Sequence, residues 1–504
     1  MKDIPAFFRL VGIGWRLVRA DALLPREIDH LLPASVRVIA GFLRLFSGRA
    51  ARAGRPGQRL AGALESMGPA AIKLGQLLST RADIFGDVFA NDLSHLKDRL
   101  APFSLALARA EIETSLGRPP EALFISIDPP IAAASVAQAH PATLHDGRKV
   151  AVKVLRPGIE ARIDRDGETL MLAARLAERH VRLARRLEAR ALVATVIRSL
   201  ELETDLRLEA GGADELKAVM AKDGLMDAPA VVWDGVGRRV MTLEWAGGMP
   251  LSDPASMTAP GVDRHSVAKK LIQAFLAQAL DHGVFHADLH EGNLFLTAPD
   301  RITAVDFGII GRIGSDVRRY LAEILWGFIT RDYIRVARAH FEAGYVPKTQ
   351  SLELFAQALR SVGEPVIGKA ADTVSMGRLL TQLFAITALF DMHLRPELVL
   401  LQKTMVAVEG VARRLYPDLD LWATSRPIVE RYIARELSPL KRINGHLEEI
   451  TAAARAIVRL AEREPAPVVA IQAPRPGRAL LWFLAGAASA SLVSLVTIWI
   501  VLTS

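Results

Sequence analysis

There is no cysteine anywhere in the 504-residue chain. Disulfides, thiolate metal sites and cysteine nucleophiles are therefore excluded, and the composition suits a reducing compartment. A signal peptide is not expected either. Arg9, Arg16 and Arg19 interrupt the mildly hydrophobic residues 1–20, and no clear small-residue cleavage site follows. An amphipathic helix, lying on a membrane surface or packed on the domain, fits that stretch better. Neither zinc-finger spacing nor an aromatic RNA-binding signature accompanies the net charge of +8, so nucleic acid is not an expected partner. No internal repeat divides the chain.

What is present is ample for a large core. Apolar residues make up 51% and charged residues 23%, and the length points to two lobes plus additions. The basic excess is uneven. Arg44, Arg49, Arg52, Arg55 and Arg59 form one cluster, and Arg175, Arg179, Arg182, Arg185, Arg186 and Arg190 form another. Such surfaces meet anionic lipid or are simply solvated helix faces. The C-terminal residues favour lipid, because 479–502 carry no charge. About 20 apolar residues cross a bilayer core, so one transmembrane helix is expected there, a buried soluble helix being the alternative. Ser489, Ser491 and Ser494 beside Gly486 offer a face for another helix, which admits a homodimer. Arg475 and Arg478 precede the span, which places the bulk of the chain on the cytoplasmic side. Pro465, Pro467, Pro474 and Pro476 mark an extended tether before it.

The sharpest chemical signal is His286-Ala287-Asp288-Leu289-His290-Glu291-Gly292-Asn293, followed by a short apolar run and then Asp306-Phe307-Gly308. In protein kinases a catalytic loop carries an Asp and, five positions on, an Asn; a hairpin then delivers a second Asp before Phe-Gly. Asp288 is placed to orient or deprotonate an attacking hydroxyl. Asn293 and Asp306 are oxygen ligands suited to Mg²⁺, a hard cation that bridges nucleotide phosphates. Each piece alone is common, but both in this order are specific. A lysine on an upstream strand must hold the phosphates of ATP, and Lys153 in Val150-Ala151-Val152-Lys153-Val154 fits. Its glutamate partner is expected within 200–210. Glu209 is the choice, with Glu201 and Glu203 on the same stretch.

Two features depart from an ordinary kinase. Where a glycine-rich phosphate loop should precede Lys153, the chain reads Ala132, Ala133, Ala134, Ser135, Val136, Ala137, Gln138 and Ala139. These residues are expected to line the nucleotide, with an altered grip because alanine lacks glycine's backbone freedom. In addition, Ala287 stands where many kinases carry arginine, and no Ala-Pro-Glu segment follows Asp306. Control by activation-loop phosphorylation is not expected.

These departures resemble the UbiB family of atypical kinases, which includes the mitochondrial coenzyme Q kinases. The resemblance covers roughly residues 60–310. Lys73-Leu74-Gly75-Gln76 matches the family's Lys-x-Gly-Gln helix, and Leu77-Leu78-Ser79-Thr80-Arg81 continues it. The alanine-rich loop, Glu203-Thr204-Asp205 as a Glu-x-Asp motif, and Glu209-Ala210 complete the order, while Ala139 and Glu291 replace the commoner valine and proline.

The resemblance implies a regulatory role for Lys73 and Gln76, whose helix would fold over the protein-substrate groove with Lys73 paired to Glu203 or Asp205. It also implies an ATPase or phosphotransferase supporting ubiquinone biosynthesis, at the bacterial inner membrane as a single-pass protein. Ubiquinone precursors or other enzymes of that synthesis are then the expected partners. A nucleotide-binding scaffold without phosphotransfer and a small-molecule kinase are the alternatives. The expected fold is α+β, bilobal and protein-kinase-like. A basic helical segment should occupy 1–59, a helical extension 60–120, the N-lobe with inserted helices 121–250 and the C-lobe 251–420. C-terminal helices and the tether should follow over 421–478, then the transmembrane helix over 479–502.

Overall fold

The computed structural model describes residues 3–22, 34–47, 54–79, 86–94, 96, 100–180, 184–185, 188–365, 389–392 and 396–436. Thr80, Arg81, the proline-rich tether and the expected span at 479–502 lie outside the described residues. Among the described residues no helix is long and apolar enough to cross a membrane.

The alternation around Lys153 builds the first sheet. Five antiparallel strands are β1 (Phe124–Ile127), β2 (Ala132–Ala133), β3 (Ala137–Leu144), β4 (Lys149–Leu155) and β5 (Val240–Glu244), in the order β1-β3-β4-β5 with β2 paired to β3. On β4, Val150, Val152 and Val154 are fully buried against Ile112, Phe124 and Val240. A strand has period two, so the same alternation turns Lys153 to the opposite face. There it sits between Ala139 of β3 and Met241 of β5. The helix Leu105–Leu116 closes the valine side, its start capped by Ser104 Oγ accepting from the Leu107 amide at 3.4 Å.

Among the described residues, the long helices between β4 and β5 are Ile159–His180, Ala189–Glu203 and Leu206–Asp223. The break between the last two is chemical. Asp205 takes extended backbone, and its carboxylate accepts from the Arg207 amide at 3.2 Å, ending one helix and starting the next. Upstream, the helices Pro56–Met67, Pro69–Ser79 and Asp87–Ser94 enclose a small core of Ala61, Leu64, Ala71, Leu93 and Leu96. Gly75 is required here. A Cβ at this position would come 2.4 Å from Leu96 and 2.7 Å from Leu64.

The second lobe is organised by the helix Arg264–Ala277, in which Val267, Leu271, Ile272 and Phe275 are all buried. From Leu271 onward every residue of this helix is buried, while Arg264, His265 and Lys269 at its start are exposed. Around it lie β6 (Met249–Pro250), β7 (Val284–His286), β8 (Leu294–Thr297), β9 (Arg301–Ala304) and β10 (Ile310–Arg312), paired as β6-β8-β9 and β10-β7. The helices Ser315–Thr330, Tyr333–Glu342, Leu352–Gly363, Pro396–Leu415 and Leu421–Glu436 complete the lobe. The expected boundary after residue 420 falls within this packed unit, which runs to Ala434. Ile428, Val429 and Tyr432 are core residues. Arg431 also pairs with Asp281 and, at 3.1 Å, with Asp223, to which His282 lies at 2.8 Å.

Candidate active site

The face of β4 opposite the valine core carries the first charged cluster. Lys153 Nζ donates to Glu209 Oε1 at 2.6 Å and to Asp306 Oδ1 at 3.3 Å. Burial opposes the lysine's charge, but Asp306 and Glu209 outweigh it and push its pKa up. Lys153 attraction holds Asp306 below the usual carboxylate range. Burial raises Glu209, with Lys153 pulling it back and Asp306 and Glu203 adding to the rise. Of the other glutamates on the stretch, Glu201 meets Arg198 at 3.3 Å near the surface and Glu203 pairs elsewhere. Glu209 is thus the glutamate of this stretch that meets Lys153.

Asp306 has a left-handed backbone, with φ at 63°. For a non-glycine residue this costs about 1–3 kcal/mol and persists only where the surroundings impose it. Those surroundings are two backbone bonds. The Val305 amide donates to Asn293 O at 2.9 Å, and the Ala287 amide donates to Ile309 O at 3.1 Å. Immediately afterwards β10 pairs with β7, Ile310 lying opposite His286. Only residues 309–314 separate Gly308 from the helix Ser315–Thr330, so a long activation segment has no place here.

The catalytic loop is knit by its own side chains. Asn293 Nδ2 donates to Asp288 O at 3.1 Å, so Oδ1 is not used by that bond. His290 Nδ1 accepts from the Gly292 amide at 3.0 Å, and its Nε2 lies 3.8 Å from Asp288 Oδ2. Beneath the loop is fully buried His286. Its Nδ1 accepts from the Asp288 amide at 3.2 Å, and its Nε2 donates to Val305 O at 3.1 Å. Burial lowers its pKa, keeping it neutral and fixing that tautomer. One ring thus joins the segment bearing Asp288 to the segment bearing Asp306, and it lies 5.4 Å from the ring of Phe307.

Residues 95–340 match the ABC1 atypical kinase-like domain, and residues 359–420 match the UbiB helical domain. The probable protein kinase UbiB of Marinobacter nauticus is 40% identical over 399 residues, covering 78% of this chain and 73% of the relative. The chain belongs to the UbiB family. That of Xylella fastidiosa is 37% identical over 460 residues, 88% of this chain and 82% of the relative. Among solved structures, Rv3197 of Mycobacterium tuberculosis in complex with erythromycin is 22% identical. It has a TM-score of 0.50 over 78% of this chain and 98% of that one, which supports the kinase-like fold. The family likeness therefore runs beyond residue 310, through the helices after the kinase-like core.

The UbiB-type alanine loop is a tight hairpin. Ala132 pairs with Ala139 and Ala133 with Gln138, and the Ala134 amide donates to Ala137 O at 2.8 Å. None of residues 132–139 adopts positive φ, so the turn makes no use of glycine's freedom. Arg156 braces it instead, donating from Nε and Nη2 to Ala134 O at 2.9 and 2.8 Å and from Nη1 to Ala101 O at 2.9 Å. Gln138 departs from its expected role on the nucleotide. It is buried, accepting from the Phe103 amide at 3.0 Å and donating to Phe103 O at 3.2 Å. A buried amide needs such partners, and the backbone of Phe103 supplies them. Val136 and Ala137 are likewise core residues. Ser135 is buried, whereas Ala132 is exposed and Ala133, Ala134 and Ala139 are partly exposed.

The Lys-x-Gly-Gln helix places Lys73 in an ion pair with Glu203, and Ser199 Oγ donates to the same carboxylate at 3.4 Å. Asp205, the other expected partner, is engaged as a helix cap and pairs with Arg207 at 2.6 Å. Gln76 lies partly buried on the same helix.

Several supports were missed by sequence reasoning. Besides His286 there is Gln278, whose Oε1 accepts from the His286 amide at 3.0 Å. The helix Pro396–Leu415 adds Thr404, whose Oγ1 lies 3.0 Å from Ala287 O, and Arg414, paired with Glu291. The absence of proline at 291 was visible, but an arginine more than a hundred residues away gave no local sign of answering it.

Proposed function

We propose that this UbiB-family chain binds ATP with Mg²⁺ and turns it over, as an ATPase or phosphotransferase supporting ubiquinone biosynthesis at the membrane. The observation that carries this reading is the Lys153–Glu209–Asp306 cluster, joined through His286 to the loop of Asp288 and Asn293. Lys153 stays charged and is aimed by Glu209, so it can hold phosphate oxygens. Asp306 and Asn293 supply a carboxylate and an amide oxygen, the donor set of a magnesium carried on a nucleotide rather than caged by protein. Bound there, the ion would neutralise phosphate charge. Asp288 accepts the proton of an attacking hydroxyl or water and orients it. The Lys73–Glu203 pair lies close enough for Glu203 to act on Glu209. By family resemblance, the Lys-x-Gly-Gln helix would limit what reaches Asp288.

The test is magnesium-dependent ATP binding and turnover by the full chain and by Asp288→Asn. Turnover should fall about 100-fold or more, with ATP affinity changed little. Equal turnover in both would remove Asp288 from the chemistry, and binding without turnover in wild type would favour the scaffold reading. Failure of the folded chain to bind nucleotide would overturn the reading.

A further inference from the structure

The N-terminal helices leave a surface that the nucleotide site does not use. The helix Asp3–Arg19 turns Ala6 and Val18 inward. Arg9 fixes it to the helix Ile159–His180, reaching Glu168 at 3.0 Å and Thr169 at 3.0 Å. Its outer side leaves Phe7, Phe8, Val11 and Trp15 exposed, Phe8 by 70%. The helix Ala34–Leu43 and the turn Arg44–Phe46 likewise expose Val38, Phe42, Leu45 and Phe46, Val38 by 75%. The two are one surface, since the Phe46 ring lies 5.8 Å from Trp15 and 5.5 Å from Phe42. Single exposed apolar side chains are ordinary, but a contiguous aromatic patch marks something that covers it.

Charge decides what. Arg16, Arg19 and Arg37 are exposed on the same two helices, and among the described residues no ion pair engages them. Asp21, an acidic side chain at the end of the first helix, is turned to Arg59 at 3.0 Å and is nearly buried. A second copy apposed by twofold symmetry would set these arginines against their equivalents, which opposes pairing. An acidic lipid surface satisfies both the rings and the guanidinium groups. Aromatic side chains settle at headgroup depth and arginines meet lipid phosphates.

We propose that this two-helix surface lies on an anionic bilayer, with Phe7, Phe8, Trp15 and Phe42 entering the acyl boundary and Arg16, Arg19 and Arg37 at the headgroups. The inference rests on the membrane part of the reading above and names a contact separate from residues 479–502.

Because the chain has no cysteine, single labels can be placed without altering a background. Full-length Phe8→Cys and Phe42→Cys carry an environment-sensitive fluorophore, with Leu354→Cys as an exposed apolar control on another element. Each is mixed with vesicles of phosphatidylethanolamine and phosphatidylglycerol containing a spin-labelled lipid, and flotation is measured in the same samples. Labels at 8 and 42 should be quenched several-fold more than at 354, and Arg16→Glu with Arg37→Glu should reduce that quenching. If the chain floats while both labels stay as wet as the control, the surface does not dock and only this inference fails. Shielding without vesicles that grows with protein concentration would assign the face to a second copy and overturn it. A chain that does not float removes the membrane reading as well.

Discussion

The two loops assigned to the proposed nucleotide site are held in opposite ways. The catalytic loop is stiff from within, since His286, His290 and Asn293 each bond to its own backbone or to its neighbour's. The alanine loop is braced from behind by one guanidinium, that of Arg156. The difference suits the roles proposed for the two loops. A general base has to be held within a fraction of an ångström of its productive position. A loop that grips phosphates through its backbone gains from small size and a single external brace.

That contrast can be broken at its strongest point first. His286→Ala leaves the Asp288 amide and Val305 carbonyl without their buried partner, which should cost about 2–4 kcal/mol of stability. Turnover should drop about 100-fold, as expected when a base is misplaced by an ångström. Denaturant unfolding beside steady-state kinetics would measure both, and an unchanged rate would show that the loop holds its shape without the ring. Arg156→Ala frees the other loop. Its apparent ATP affinity should weaken about tenfold, in line with a lost charge-assisted hydrogen bond, while the maximal rate barely moves. A fall in rate at unchanged affinity would mean the brace serves the catalytic loop. The smallest effect belongs to Ala134→Gly. Greater backbone freedom at a position without positive φ should loosen nucleotide binding about two- to fivefold, read by calorimetry with ADP and ATP. No change would show that this turn does not reach the phosphates.

Much of the fold and of the site was legible because it is written in local pattern. Alternation at 150–154 places Lys153 and the valine core on opposite faces with no further information. The spacing of Asp288, Asn293 and Asp306 is fixed by one loop and one hairpin, so sequence order translated directly into geometry. The Lys73 partner was open between Glu203 and Asp205 because both lie near one helix end. What separates them is the break itself, which takes Asp205 as a cap. Gln138, expected at the nucleotide, has its amide taken up by the Phe103 backbone. A small-residue motif was treated as one functional surface, whereas a strand turns alternate residues to opposite sides and a buried amide seeks the nearest unpaired peptide. Thr404 and Arg414 were invisible because their helix looks like ordinary apolar packing, and their partners are distant in the chain.

The tight fit at Gly212 has a mechanical consequence. A Cβ there would lie 2.3 Å from the Ile310 side chain, so the helix bearing Glu209 rides directly on the strand that follows Asp306. Ile310 is in turn opposite His286. The helix bearing Glu209 therefore has no room to settle further onto that strand, and a larger side chain at 212 would have to push Ile310 aside.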